Sequence, residues 1–116
     1  MPDFEDLRPY NDDEVPAAID RVVSDLYFPW LVNNLAPHKQ VDEVIKEFKK
    51  IKTVQEFQEQ ITFSVLERII HNSISNFTCS GGDEIPNNQP YLFISNHRDI
   101  VLDAALLNIY LLKTGH

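Results

Sequence analysis

Apolar positions recur at helical spacing through roughly the first two thirds of the chain and then lose that period. Val15, Ile19, Val22, Val23 and Leu26 outline a first helix. It begins among Asn11 to Asp13, where short polar side chains cap free amides and acids suit the helix dipole. Pro16 is tolerable only within that first turn. Leu26 to Pro37, "LYFPWLVNNLAP", is dense in aromatics and broken by Pro29. It reads as a short second helix or a kinked continuation. Tyr27, Phe28, Trp30 and Leu31 are expected to anchor a core in preference to forming an exposed patch for lipid or a partner.

Val41, Val44, Ile45, Phe48 and Ile51 form the one-sided stripe of a third helix, whose lysines (Lys46, Lys49, Lys50, Lys52) gather toward its C-terminus. "TVQE", Thr53 to Glu56, is a capping box that opens a fourth helix running to about Ser73. Val54, Phe57, Ile61, Val65 and Ile69, widened by Phe63, Leu66 and Ile70, predict burial along a broad stripe of it.

From Asn76 the texture changes. Phe77 to Ser80 and "YLFIS", Tyr91 to Ser95, read as short strands, the second buried. "GGDEIPNNQP" between them is turn chemistry throughout. After "NHRD", the run Ile100, Val101, Ala104, Ala105, Leu106, Ile109, Tyr110 and Leu112 fits a helix apolar over much of its surface. The expected fold is α/β, or α+β within this stretch. About four helices in residues 1–75 lead into a strand–turn–strand–helix opening in residues 76–116.

Composition sets limits on this picture. A chain of 116 residues, 43% hydrophobic and 24% charged, fits one small soluble domain with a modest core. The formal net charge of -8 argues against nucleic acid, and it gives no help in approaching an anionic membrane. The single cysteine, Cys79, has no internal disulfide partner, which suits a reducing cytoplasm. The acidic N-terminus lacks the apolar core of a signal peptide, so the glycosylation pattern at Asn76 is read as chance. Ile100 to Leu112 is too short to span a bilayer, which takes roughly 20 residues.

The candidate chemistry lies in "SNHRDIVLD", Ser95 to Asp103. A strand that delivers a polar cluster to a helix start is a recurrent active-site arrangement, because the helix offers free amides and a positive dipole end. A histidine there resists protonation and serves as a base near neutral pH. His97, its ring held by Asp99 or Asp103, could deprotonate a hydroxyl for attack on an acyl carbonyl. With the substrate hydroxyl as nucleophile, no acylated serine or cysteine is required. The bland reading is that asparagine, histidine and aspartate merely cap a helix. Metal binding is not expected, since His38, His71 and His97 have no ligand spacing.

"YLFISNHRDIVLDAALL" resembles the first motif block of the glycerolipid acyltransferases, the glycerol-3-phosphate and lysophosphatidic acid acyltransferases. In that family an apolar strand ends in Asn-His and an aspartate follows as H-x4-D. "LRPYNDDEVPAAI" and "IKTVQEFQEQI" look like the N-terminal helical region of a bacterial, Bacteroides-group branch. The resemblance implies His97 as the general base that activates a glycerol hydroxyl against an acyl thioester, oriented by an aspartate. The spacing here is one residue longer than the family's, so that role falls to Asp103, with Asp99 as runner-up. Asn96 and Arg98 would shape the strand exit, and Arg98 meets either a substrate phosphate or one of the aspartates.

No cofactor is implied beyond the acyl donor, acyl-CoA or acyl carrier protein. The acceptor would be a glycerol phosphate or lysophosphatidic acid. The family's phosphate-binding Phe-x-x-Arg and Glu-Gly-Thr-Arg blocks are not among these 116 residues. The chain is therefore expected to be the N-terminal segment of an acyltransferase, inactive alone and prone to self-association over its last helix. Its expected location is cytoplasmic, with peripheral contact at the inner membrane face. The competing expectation is a non-catalytic helical module that docks another protein.

Overall fold

The computed structural model describes residues 3–96 and 98–116, and among them every regular element is a helix. Two compact units divide between Thr62 and Phe63.

The N-terminal unit is built on α1 (Val15–Val23), α2 (Phe28–Leu35), α3 (Val41–Lys49) and α4 (Val54–Phe57), followed by a π-helical segment, Gln58–Thr62. Pro16 and Pro29 each sit in the first turn of their helices, where a missing amide costs nothing. The core consists of Val15, Ile19 and Val23 of α1, Phe28 and Val32 of α2, Val44 of α3, and Ile51 just beyond it. Phe48 packs edge-to-face on Phe28 (5.3 Å between ring centres) and on Phe57 (6.2 Å). That is the favoured geometry for quadrupolar rings, so three aromatics from three helices lock the unit's centre. The expected capping box is present: Thr53 Oγ1 accepts from the Glu56 amide at 3.1 Å, and Glu56 Oε2 accepts from the Thr53 amide at 3.3 Å.

Apart from Phe28, the aromatic-rich stretch Leu26–Leu31 is not core. Leu26, Tyr27 and Trp30 are 94%, 78% and 64% exposed, and Val22 and Leu31 also face solvent. Helix geometry explains the outcome. With Phe28 and Val32 fixing the buried face of α2, Trp30 lies about 200° around the axis and Tyr27 about 100° to one side. Length and aromaticity suggested burial; angular position decided otherwise.

The C-terminal unit contains α5 (Phe63–Ser73) and α6 (Leu102–Lys113), joined by a loop with a 3₁₀ turn at Gly82–Glu84. The fourth helix expected to run from Thr53 to Ser73 is realised as α4, the π-helical segment and α5. Its apolar side chains step by four residues (Phe57, Ile61, Val65, Ile69), which drifts off a 3.6-residue turn; a π turn, wider by one residue, absorbs such spacing. The broad stripe is half-buried: Val54, Phe57 and Ile61 pack against the core of the N-terminal unit and Phe63, Val65, Leu66 and Ile70 are partly covered, though none is fully buried. On α6 only Ile109 is buried. Tyr110 Oη accepts a hydrogen bond from the Gly82 amide at 2.8 Å, and a Cβ at Gly82 would stand 2.6 Å from that oxygen. Gly81 turns at φ 89°, and Gly115 (φ 84°) ends α6 in a Schellman arrangement, with the His116 amide on the Leu111 carbonyl. Lys113 Nζ pairs with Glu67 of α5 and lies over the Phe63 ring.

The expected α/β opening is overturned: among the described residues there is no strand at Phe77–Ser80 or at Tyr91–Ser95. "YLFI" is not buried either, with Leu92 and Ile94 nearly fully exposed. A strand exists through its ladder, and two short segments separated by a Pro-rich loop supply at most one pairing, which is marginal in water. In the loop between them, the Gly82 amide is bonded to Tyr110 of α6.

Candidate functional site

The sequence motif falls on the loop before α6. Asn96, Arg98 and Asp99 are exposed and Asp103 is half-buried, while His97 lies outside the described residues. Asp99 Oδ1 accepts from the amides of Val101 (2.9 Å) and Leu102 (2.7 Å). Asp103 Oδ2 accepts from the amides of Arg98 and Asp99, the latter at 3.0 Å.

These four bonds divide the work of two carboxylates. Regular helix begins at Leu102, but its cap begins at Asp99, which satisfies the donors that lie two and three residues ahead of it. Asp103, in the first turn, reaches back over the preceding loop in the manner of a capping box whose acid stands one position later than usual. Both anions also sit where the helix dipole favours negative charge. The local sequence is therefore self-sufficient, since "RDIVLD" carries its own cap at both ends of the turn.

This arrangement separates the two aspartates that spacing alone left open. The Asp99 oxygen described faces forward, into α6. The Asp103 oxygen faces backward, to the amide of Arg98, the residue next to His97 in sequence. Arg98 donates its backbone amide to Asp103, and no ion pair of its guanidinium is found among the described residues. Chemically, the cluster is an ordered turn with two anchored carboxylates and one cation. The carboxylates come from two different turns of chain only four residues apart.

Other chemistry is sparse. No group of three or more acidic, histidine or cysteine side chains suited to a metal is found among the described residues. No helix there is long and apolar enough to cross a membrane.

Sequence reasoning set aside one surface that the structure displays. In the N-terminal unit, Arg21, Val22, Asp25, Tyr27, Trp30 and Leu31 line a shallow groove of about 470 Å³ floored by Phe28. The signal that could have found it is the phase of Trp30 against Phe28 and Val32. Asp25 Oδ1 accepts from the Tyr27 amide at 2.8 Å and fixes the entry to α2 beside it.

Comparison with known proteins adds no relative: no family model, curated protein or solved structure matches this chain.

Proposed function

We propose that this chain carries the acid–base motif of an acyltransferase. It would move an acyl group from an acyl thioester to the hydroxyl of a glycerol phosphate or lysophosphatidic acid. The observation that carries the proposal is the back-turned Asp103 carboxylate, bonded to the amides of Arg98 and Asp99. An anion anchored at that turn is suited to hold an imidazole at His97 in one tautomer and to stabilise the imidazolium formed on proton abstraction. Asp99 then belongs to the helix cap.

In this proposal the His97 imidazole takes the acceptor hydroxyl's proton as the oxygen attacks the thioester carbonyl. The tetrahedral intermediate collapses with loss of the thiolate, which leaves with the proton from the imidazolium. Both substrates bear phosphate, and among the 116 residues the motif offers one permanent cation, Arg98. Positioning is worth several kcal/mol of such a barrier. Further cations and a groove are needed to complete such a site, and these 116 residues by themselves would be inactive. A peripheral contact with the inner membrane face would deliver the lipid acceptor.

The test is acyl transfer by the protein expressed from its full reading frame, with acyl-CoA and acyl carrier protein donors and both acceptors. His97→Ala should lower turnover by about 10²–10⁴. A loss of only a few-fold would remove the catalytic reading. It would favour a helical module that docks a partner protein, which the exposed Tyr27 and Trp30 beside the groove support.

A further inference from the structure

The two compact units differ in how much apolar surface they cover. In the unit that ends at Thr62, seven apolar side chains are fully buried, and Phe48 joins Phe28 and Phe57 in a stack across three helices. In the unit that begins at Phe63, Ile109 is the one apolar side chain fully buried among the described residues. No residue of α5 is fully buried. α6 carries apolar residues around its whole circumference, with Asp103 and Lys113 as its charges, and a helix of that kind is normally buried on every side. The contacts that hold this unit are small ones. Lys113 pairs with Glu67 at a half-exposed position, where an ion pair contributes little. Tyr110 Oη takes the Gly82 amide, and His116 Nε2 stands 3.2 Å from the Gly82 carbonyl, so one glycine ties the loop to the last turns of α6.

We infer that in the 116-residue chain the C-terminal unit opens as one cooperative piece while the N-terminal unit stays folded. The turn that holds Asp99 and Asp103 is then ordered only while that piece is closed. Fixing a residue costs similar conformational entropy in either unit, and apolar burial is the main effect that offsets it. With one apolar side chain fully covered, the C-terminal unit belongs at the low end of the range of local opening free energies. The N-terminal core belongs at the high end. Opening is cooperative because the ties run between elements and not within them: Glu67 of α5 to Lys113 of α6, and Gly82 of the loop to Tyr110 and His116. Arg98, Asp99 and Asp103 all lie in the piece that opens. A ligand of that turn therefore binds only the closed form, and its apparent affinity falls by the closed fraction. The inference holds whatever that ligand is and does not rest on the catalytic reading.

Hydrogen exchange on the full 116-residue chain, followed residue by residue by nuclear magnetic resonance, reads the opening of each unit. The amides of Ile19, Val23, Val32 and Val44 should be protected about 100-fold or more beyond those of Ile70, Leu106 and Ile109. The central amides of α5 and α6 should share one level of protection. Gly82→Ala, which crowds the Tyr110 ring, should speed exchange in α5 and α6 together and leave the N-terminal core unchanged. That core still reports if the variant's C-terminal unit never closes. Protection equal in the two units to within about threefold overturns the inference. So does a Gly82→Ala variant whose exchange changes by the same factor in both units, or one that speeds α6 and leaves α5 as it was.

Discussion

The carboxylate of Asp12 accepts a hydrogen bond from the backbone amide of Val54 at 2.9 Å, across 42 positions of sequence. The acidic residues before α1 thus serve a second helix. Thr53 and Glu56 satisfy other amides at the start of α4, and Asp12 supplies the bond they leave over. Loss of such a cap costs about 0.5–2 kcal/mol. Asp12→Ala should lower stability within that range in urea melts. It should also raise hydrogen exchange at the amides of Val54 and Gln55 more than at those of α3. Equal effects on both helices would argue that the bond contributes nothing specific.

Glu14 is bound by both nitrogens of the Arg8 fork and by the Asn11 amide. These bonds, the one from Arg8 foremost, lower its carboxyl from 4.5 to about 2, and the Arg8 guanidinium is correspondingly raised above its ordinary value. A carboxyl depressed on folding adds stability that is fully present above its unfolded value and lost as pH falls through the folded one. The loss should therefore run from about 4.5 down to about 2. Nuclear magnetic resonance titration of the Glu14 carboxyl should show a midpoint well below the ordinary glutamate value of 4.5. Because the pair is half-exposed, added salt should move that midpoint back upward.

Gly82 and Tyr110 fit each other so closely that a methyl group at 82 overlaps the phenol. Gly82→Ala should cost about 1–3 kcal/mol through that overlap. Tyr110→Phe should cost about 1 kcal/mol by leaving the Gly82 amide unpaired. In the Tyr110→Ala background the Gly82→Ala penalty should largely vanish, a non-additivity that a double-mutant cycle measures directly.

The one tryptophan makes the exposure of α2 easy to check. Trp30 should emit at the wavelength of a hydrated indole in the folded protein and be quenched freely by acrylamide. Trp30→Ala should change stability by about 0.5 kcal/mol or less. Phe28→Ala, two residues away and 3% exposed, should cost about 3–5 kcal/mol. A blue-shifted, protected Trp30 would contradict the arrangement of α2.

Under the proposed chemistry the aspartates should separate in function. Asp103→Asn should reduce acyl transfer by the full-length protein far more than Asp99→Asn, with KM little changed. Asp99→Asn should be nearly silent in that assay, since asparagine caps helices as well as aspartate. Greater loss at Asp99 would reverse the assignment.

The helices were legible where local rules act alone. Pro16 and Pro29 could stand only in first turns, Thr53 and Glu56 could only cap, and the Val44–Phe48–Ile51 stripe had one face to bury. The capping chemistry of Asp99 and Asp103 was visible as a pair of acids around a turn, but not its direction. Which acid reaches backward depends on where the helix starts, and regular helix starts at Leu102, three residues after Asp99.

What the sequence by itself determined, then, was the set of interactions that close within a few residues: caps, proline positions and the apolar period. Only the tertiary structure decided which apolar face was covered. Phe28 became core and Trp30 surface because of where α1 and α3 lie, and Tyr91–Ile94 stayed a strand pattern without a ladder because none of the described residues pairs with it. Burial and β-pairing require a second segment of chain. A local pattern can state that it wants one, but not that one arrives.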